Sequence, residues 1–270
     1  MTFTLHTERI TAGEPRRWAF VLHGIFGSAA NWRMFMRNLA KARPEWGFVL
    51  VDQRGHHRSL GAPPPHTIDA MADDLLHAED ELGLSVEGVV GHSLGGKVAL
   101  AYARHREQAG RPPLSQLWVL DSQPGAQGAP EPDSITVQVL EMLEGLPLYF
   151  ERREAFVRAV RDAGQSQMVA AWLAMNVRRV GERYELALDL PALRQILWDF
   201  YQHDAWDVLE TPREGAHVVV GGKSYVWTGG DLDRLKAAAH LGVHVLPEAS
   251  HWVHADAPDE LHALMRDAFT

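Results

Sequence analysis

Ser93 lies in the pattern Gly-His-Ser-Leu-Gly, with Gly91 two residues before it and Gly95 two residues after it. A serine in this pattern serves as a nucleophile when it occupies a sharp turn from a strand to a helix, because the glycines let backbone segments pass close to it. Residues 86–90 predict the strand and residues 94–104 predict the helix. The spacing therefore predicts a nucleophile elbow, with a plain glycine-rich turn as the alternative.

His251 is the candidate general base for that serine. A serine hydroxyl is a weak nucleophile and needs a base within hydrogen-bond reach, and the base needs a carboxylate to orient it. His251 follows the last predicted strand, residues 243–246, and precedes the last predicted helix. This position is typical of the histidine that serves a nucleophile elbow. His254, three residues further on, is the alternative.

A glycine-containing loop meets the second requirement of this chemistry, an oxyanion hole. Residues 18–22 predict a buried strand that runs directly into His23-Gly24-Ile25-Phe26-Gly27-Ser28. Two backbone N–H groups must stabilise the tetrahedral intermediate, one from the residue after the nucleophile, Leu94, and one from this loop. We assign the loop donor to Ile25, with Phe26 as the fallback. A plain turn between a strand and a helix is the other interpretation of the loop.

Composition limits the class of protein. The chain has 270 residues, 46% of them hydrophobic and 23% charged, which predicts one globular core domain carrying an insertion. Its formal net charge of −9 predicts neither a nucleic-acid partner nor binding to an anionic membrane surface. The absence of cysteine excludes disulfides and a thiol nucleophile. We see no signal peptide and no membrane-spanning run, so we expect a cytoplasmic protein.

Two histidine pairs, His56 with His57 and His251 with His254, have side chains of a kind that binds metals. Neither pair lies in an H-E-x-x-H arrangement, and a catalytic zinc needs a third converging ligand. We therefore predict no metal and no cofactor, and we interpret these imidazoles as surface or site-lining groups.

Strands and helices alternate along most of the chain, which predicts a mainly parallel sheet covered on both faces. Strands are predicted at residues 18–22, 48–51, 86–90, 117–120, 216–220 and 243–246, with one or two edge strands in residues 2–11. Each candidate motif follows a strand, and sites in such sheets lie at the carboxyl ends of the strands. From residue 123 the pattern becomes helical. We interpret residues 123–212 as an inserted helical cap, and residues 1–122 and 213–270 as the core.

Almost end to end, the sequence resembles the α/β-hydrolases, and among them the small bacterial esterases and thioesterases related to a mitochondrial hydrolase. The motifs that carry the resemblance are His23-Gly24-Ile25-Phe26-Gly27-Ser28, Asp52-Gln53-Arg54-Gly55-His56, Gly91-His92-Ser93-Leu94-Gly95-Gly96-Lys97, Gly221-Gly222-Lys223-Ser224 and Ser250-His251-Trp252-Val253-His254-Ala255. The resemblance implies a mainly parallel eight-stranded sheet flanked by helices, with an inserted helical cap. His57 is a departure, because relatives with the D-x-R-G-x-G-x-S pattern often carry glycine there.

The resemblance also bears on the carboxylate of the triad. Most α/β-hydrolases carry it after the strand that here is residues 218–220, but no Asp or Glu follows that strand before Asp231. Asp121 directly follows the strand at residues 117–120, which in this fold lies next to the nucleophile strand. In the branch with serine in the Gly-Gly-x-Ser position the acid follows this earlier strand, so we assign Asp121. Asp231, approaching from its helix, is the rival, and the turn formed with Ser122 is the structural alternative for Asp121.

The implied activity is that of a cofactor-free serine hydrolase that cleaves carboxylic esters, or thioesters, of small to medium acyl groups through an acyl-enzyme on Ser93. The expected partner is a small-molecule substrate, with neither nucleic acid nor membrane, and the expected state is a monomer or homodimer. Candidate substrate-binding residues are Phe26, His92, Trp198, Trp206 and Trp252.

Two alternatives remain open at this point. One keeps the triad but changes the reaction, to that of a perhydrolase, a haloperoxidase or a lyase of the menaquinone-pathway kind. The other is a non-catalytic receptor of hydrolase fold that binds a small molecule.

Overall fold

A computed structural model describes residues 3–130 and 134–270. Its central sheet has the strand order β1-β3-β2-β4-β5-β9-β10. These strands are β1 (His6–Ile10), β2 (Arg17–Leu22), β3 (Trp46–Asp52), β4 (Val86–His92), β5 (Gln116–Leu120), β9 (Ala216–Gly221) and β10 (Gly242–Leu246). β1 pairs antiparallel with β3, and the other neighbours are parallel. The mainly parallel sheet predicted from the sequence is confirmed.

The number of strands differs from the eight that the resemblance implied. Within the described residues the sheet has seven strands. The difference lies at the N-terminal edge, where residues 3–16 contribute one strand, β1, and residues 11–16 connect it directly to β2. The backbone N–H at the start of β1, on His6, donates to the Ser59 hydroxyl oxygen at 2.8 Å. β1 is thus the edge strand of the sheet within the described residues.

Helices cover both faces of the sheet, so its central strands are buried on both sides. Along β2, Ala19 and Val21 face one cluster of buried side chains while Phe20 and Leu22 face the other. The first face is covered by α1 (Arg33–Ala42) and α11 (Pro258–Ala268), and the second by α2 (Ile68–Leu82) and α3 (Leu94–Gln108). The alternation of period two along a strand thus divides the core into two layers.

The segment between β5 and β9 contains helices and a small sheet. The helices are α4 (Ile135–Glu144), α5 (Arg153–Asp162), α6 (Gln167–Leu173), α7 (Leu190–Gln202) and α8 (Trp206–Glu210). An antiparallel sheet of β6 (Tyr149–Phe150), β8 (Arg183–Leu186) and β7 (Val177–Val180) accompanies them. We call residues 123–212 the cap segment, and its status as a separate unit stays a prediction.

The small sheet corrects the expectation of a purely helical cap. The sequence pattern predicts helices over residues 123–212, but α6 ends at Leu173 and a strand, β7, begins at Val177. β-Branched residues at both ends of β7 favour an extended strand, and Gly181 has a φ of 61°, which suits a tight hairpin turn to β8. Residues 177–186 therefore form a hairpin that turns at Gly181, although a helical cap is predicted over these residues.

The remaining helices are α9 (Gly229–Ala237) after β9 and the short α10 (Val253–Asp256) after β10. In residues 3–130 and 134–270, no helix combines the length and the apolar character that crossing a membrane requires.

Candidate active site

Ser93 occupies a strained turn between β4 and α3. Its φ of 54° and ψ of −119° lie in a region that residues with a side chain rarely adopt. A Cβ atom on Gly91 would lie 2.0 Å from the Gly95 carbonyl oxygen, and one on Gly95 would lie 2.7 Å from the Leu22 carbonyl oxygen. Neither position has room for a side chain. The two glycines flanking the serine are thus required by close backbone approach, as the spacing of the motif predicted.

Asp121 follows β5 and its side chain is completely buried. Its Oδ2 atom lies 2.8 Å from His251 Nδ1 and accepts a hydrogen bond of 2.5 Å from the Ser224 hydroxyl. Its Oδ1 atom accepts hydrogen bonds of 2.9 Å from the backbone N–H of Gly221 and from Trp227 Nε1. The Gly221 N–H, the Ser224 hydroxyl and Trp227 Nε1 all donate to this carboxylate, which holds it in a fixed orientation toward His251.

His251 lies in the loop between β10 and α10, at the same edge of the sheet as Ser93. The contact with the Asp121 carboxylate fixes its tautomer, since Nδ1 must carry the proton to donate there. Nε2 is then the nitrogen left to act as an acceptor. This is the state in which a histidine works as a general base toward a serine hydroxyl.

The rival carboxylate serves another purpose. Asp231 Oδ2 accepts hydrogen bonds from the backbone N–H and the hydroxyl of Thr228, at 3.1 and 2.7 Å, in the capping box that begins α9. Its Oδ1 atom accepts a hydrogen bond of 3.2 Å from Gln123. The structure therefore brings Asp121, and not Asp231, to His251.

The loop assigned to the oxyanion hole lies against the elbow. A Cβ atom on Gly24 would be 3.2 Å from the Cβ of Ser93, so the backbone that leads to Ile25 passes directly beside the serine. Leu94 is the first residue of α3, and the N–H groups of a first helical turn have no acceptor within the helix. Phe26 has a φ of 59°, which places a further strained residue in this loop. The assignment of Ile25 and Leu94 as donors stays a prediction.

His23 holds that loop in place. The backbone N–H of Gln53 donates to its Nε2 atom at 3.1 Å, which leaves Nδ1 to donate to the Gly24 carbonyl at 2.8 Å. The Gln53 amide also donates to the His23 carbonyl at 2.6 Å. Burial lowers the pKa of His23 to about 4, so the ring is neutral at pH 7 and both its nitrogens serve these bonds.

His92 was predicted to contact substrate, but the structure places it behind the elbow. Its side chain is buried, and its Nε2 atom lies 2.8 Å from the backbone carbonyl oxygen of His251. Burial, with the nearby His251 and His254 rings, holds the pKa of His92 well below its ordinary value. A neutral His92 that donates to this carbonyl positions the loop that carries His251.

Two of the predicted aromatic residues lie near the triad. The Phe26 ring is 6.3 Å from the ring of Trp172, and Trp172 is 6.2 Å from Trp252. Trp252 lies 5.9 Å from the His251 ring. Trp172, from α6, thus joins the oxyanion loop to the histidine loop through an apolar wall.

The other two predicted aromatic residues lie on α7 and α8 of the cap segment. Trp198, on α7, is 54% exposed. Trp206, on α8, is buried instead, with the guanidinium of Arg234 4.2 Å from the centre of its ring. Trp206 therefore packs where the cap segment meets α9.

Sequence reasoning missed two residues at the site. Trp227 donates to Asp121, and the Tyr225 ring lies 5.8 Å from the ring of His251. Both follow the Gly-Gly-Lys-Ser motif, whose Ser224 also donates to Asp121. Once Asp121 was assigned, the proximity of that motif was the signal that could have found them.

The histidines considered as alternatives have other roles. His254 stacks on Trp32 with ring centres 4.4 Å apart, and burial lowers its pKa to about 4. His56 is buried against His23, and His57 Nε2 lies 3.2 Å from the Met175 carbonyl oxygen. No three metal-binding side chains converge within the described part of the chain. A metal-free site stays a prediction.

The elbow, the oxyanion loop and the carboxylate–histidine pair at one edge of this sheet are the features of a hydrolase. A model of the alpha/beta hydrolase family matches residues 19–264, and the chain belongs to that family. The resemblance read from the motifs is thus confirmed.

Two curated proteins have similar sequences, and the similarity extends over most of the length of each. The sn-1-specific diacylglycerol lipase ABHD11 of Danio rerio is 28% identical over 244 residues, which are 88% of this chain and 73% of the relative. The esterase YbfF of Escherichia coli strain K12 is 26% identical over 257 residues, covering 91% and 90% of the two chains. Among solved structures, a marine microorganism esterase superposes with a TM-score of 0.81 at 21% identity, over 98% of this chain and 99% of that one. At this identity the structural likeness shows the fold.

Proposed function

We propose that this protein is a serine hydrolase that cleaves carboxylic esters through an acyl-enzyme on Ser93. The observation that carries the proposal is the 2.8 Å contact between His251 and the buried Asp121, at the sheet edge where Ser93 occupies its strained turn. The esterase and lipase names of the similar proteins support the same reaction class.

In the proposed mechanism the Ser93 hydroxyl attacks the ester carbonyl carbon while its proton passes to His251 Nε2. Asp121 keeps the other ring nitrogen protonated and stabilises the imidazolium. The N–H groups of Ile25 and Leu94 stabilise the oxyanion of the tetrahedral intermediate. His251 then protonates the leaving alcohol, and the acyl group remains on Ser93.

Deacylation repeats these steps with water. His251 accepts a proton from the attacking water, the tetrahedral intermediate forms again, and the Ser93 oxygen leaves and takes that proton back. The chain's own residues supply every proton transfer, so the mechanism needs no cofactor. The apolar wall of Phe26, Trp172 and Trp252 suits an acyl chain of small to medium length. A thioester presents the same carbonyl to the same groups.

Steady-state hydrolysis of 4-nitrophenyl esters of two to eight carbons tests the proposal. We expect Ser93→Ala to lower kcat by about 10⁴-fold or more, as removal of a triad nucleophile does elsewhere. Ser122→Ala is the matched control, because its buried hydroxyl, beside Asp121 in the chain, has no hydrogen-bond partner among the described residues. That variant should retain the wild-type rate.

A phosphonate inhibitor gives an independent measurement, since it forms a stable adduct with an activated serine. Mass spectrometry of the digested wild type should locate one adduct, on Ser93. Hydrolysis by folded Ser93→Ala at the wild-type rate, or an adduct on another residue, would contradict the mechanism. A folded wild type that hydrolyses none of the esters, and takes up no phosphonate, would instead favour the receptor alternative.

A further inference from the structure

A cavity of about 440 Å³ lies between the cap segment and the core. Three arginines line it, Arg33 from α1, Arg58 from the loop after β3, and Arg153 from α5. His57 lines it as well, and Asp52 is its one carboxylate. Three permanent cations thus face one anion, in a chain whose formal net charge is −9. This local excess of positive charge is therefore a property of the cavity and not of the protein as a whole.

The three guanidinium groups are not equally engaged. Arg33 Nε pairs with Glu8 at 2.6 Å, and Arg153 Nε donates to the Ala174 carbonyl at 2.8 Å. The side chain of Arg58 is exposed and has no hydrogen-bond or ion-pair partner among residues 3–130 and 134–270. Arg58 therefore offers a complete guanidinium group to a ligand.

Asp52, the one carboxylate that lines the cavity, is hydrogen-bonded to the protein backbone. Its Oδ1 atom accepts a hydrogen bond of 2.8 Å from the backbone N–H of Ala29, and its side chain is buried. This carboxylate thus holds the turn that begins α1. Because Asp52 is buried whereas Arg58 is exposed, the Arg58 guanidinium is more accessible to a ligand than the carboxylate.

The cavity shares a wall with the proposed oxyanion hole. Ser28, which ends the oxyanion loop, and Met175 of the cap segment both line it. The residue after Met175, Asn176, donates from its side-chain amide to the Phe26 carbonyl at 2.7 Å. The loop of residues 23–28 thus borders Ser93 on one side and this cavity on the other.

His57, at the position where relatives often carry glycine, makes a contact with the cap segment. Its φ of 49° is left-handed, a conformation that glycine adopts without strain. The side chain lies 3.2 Å from the Met175 carbonyl, and the backbone N–H donates to the Ala187 carbonyl at 2.7 Å. The histidine side chain thus links the loop after β3 to the cap segment at this cavity, a contact that glycine cannot make.

We propose that this cavity binds an oxyanion carried by the substrate, a carboxylate or a phosphate, with Arg58 as its main ligand. The planar guanidinium matches two oxygens of either group, and its charge strengthens those hydrogen bonds. The proposal rests on the proposed function and narrows its substrates to esters or thioesters with an anionic end.

Two matched substrate pairs test the proposal and distinguish the source of the anion. The first pair is 4-nitrophenyl hydrogen adipate and 4-nitrophenyl hexanoate, which differ by a terminal carboxylate on the acyl chain. The second is S-acetyl-4′-phosphopantetheine and S-acetylpantetheine, which differ by a phosphate on the leaving group. We expect kcat/KM to favour the anionic member of at least one pair by about 10-fold, the scale of one charge-assisted hydrogen bond. Added salt should reduce that preference.

Arg58→Gln should remove the preference by raising KM for the anionic substrate, with kcat and the neutral substrates unchanged. Arg37→Gln is the control, because Arg37 is an exposed arginine of α1 outside the cavity. Preference in the adipate pair alone assigns the cavity to the acyl chain, and preference in the pantetheine pair alone assigns it to the leaving group. Equal kcat/KM within both pairs, or a preference that survives Arg58→Gln, would overturn the proposal.

A binding measurement separates this outcome from failure of the proposed function. Inorganic phosphate is titrated calorimetrically into Ser93→Ala and into the double variant Ser93→Ala/Arg58→Gln. The anion site is supported if phosphate binds to Ser93→Ala and binds at least 10-fold more weakly to Ser93→Ala/Arg58→Gln. This result would support the site even where no ester is hydrolysed. Equal binding, or none to either protein, contradicts it even where neutral esters are good substrates.

Discussion

The core side and the cap side of the candidate site are held together differently. On the core side the position of Ser93 follows from backbone packing so close that Gly91 and Gly95 admit no side chain. On the cap side individual side chains reach across to main-chain carbonyls, as Asn176 does to Phe26. Backbone packing of the first kind fixes a motif, whereas single side chains of the second kind can be exchanged one at a time. The chemistry should therefore be robust on the core side, and selectivity adjustable on the cap side.

Lys97 is the strongest of the links between the two sides. It lies one turn into α3 and is completely buried, with its ammonium group directed at the cap segment. Its three N–H groups donate to the carbonyls of Gly125, Phe200 and His203, at 2.8, 2.6 and 2.8 Å. Burial lowers its pKa to about 8, an effect opposed by the nearby carboxylates of Asp204 and Asp199. One core side chain thus holds two separate stretches of the cap segment.

The largest expected effect lies on the core side, at Asp121. We expect Asp121→Asn to lower kcat for 4-nitrophenyl esters by about 10³- to 10⁴-fold, because an amide in place of the carboxylate no longer holds His251 in the required tautomer. KM should change little, since Asp121 is buried behind the histidine. The measurement is steady-state kinetics on protein whose thermal unfolding shows that it is folded.

Asp231→Asn is the matched control for that experiment. It removes the rival carboxylate and weakens the cap of α9 and the hydrogen bond to Gln123, neither of which involves His251, so the rate should stay near that of wild type. If Asp231→Asn had a strongly reduced kcat and Asp121→Asn a nearly normal one, the acid of the triad would be the residue after β9. That result would contradict the contact between Asp121 and His251.

The difference between the core side and the cap side also explains how much of the structure could be predicted from the sequence. The elbow, the oxyanion loop and the histidine loop each follow a strand, so short motifs were enough to place them at one edge of the sheet. The sequence did not reveal that the cap segment contains a sheet, because the hairpin at Gly181 depends on one left-handed residue. Trp198 and Trp206 were predicted to contact substrate because they are aromatic. Their positions depend on how separate helices pack, which no local pattern records.

Lys97 is expected to give the next largest effect, on stability. Lys97→Met keeps an unbranched side chain that is one atom shorter but leaves three buried carbonyls without their donor, and each such loss costs about 1 kcal/mol. We expect the free energy of unfolding, measured with urea, to fall by about 3 kcal/mol. Hydrolysis should lose selectivity among acyl chain lengths before it loses rate on the smallest ester.

Lys41→Met is the control, since Lys41 is exposed on α1. It should leave both the stability and the chain-length selectivity unchanged. Wild-type stability and selectivity in Lys97→Met would mean that the cap segment does not depend on this link, and the difference between the two sides would lose its main support.

The smallest expected effect on activity is that of His254→Phe. A phenylalanine keeps the stack on Trp32 but cannot titrate or transfer a proton. If His251 alone is the base, hydrolysis at pH 8 should stay within a few-fold of wild type. Loss of activity on the scale of Ser93→Ala would instead assign the base to His254.

The same variant should change how stability depends on pH. The pKa of His254 is about 4 in the folded protein, below the ordinary histidine value of 6.5, because of burial and the nearby His251. Between pH 6.5 and pH 4 the unfolded chain therefore binds a proton that the folded chain does not. Stability is lost as the pH falls through this window, by up to about 1.4 kcal/mol per pH unit for one such group. His254→Phe should make the slope of unfolding free energy against pH shallower there and unchanged above pH 7. An unchanged slope below pH 6.5 would mean that the ring is already protonated in the folded protein.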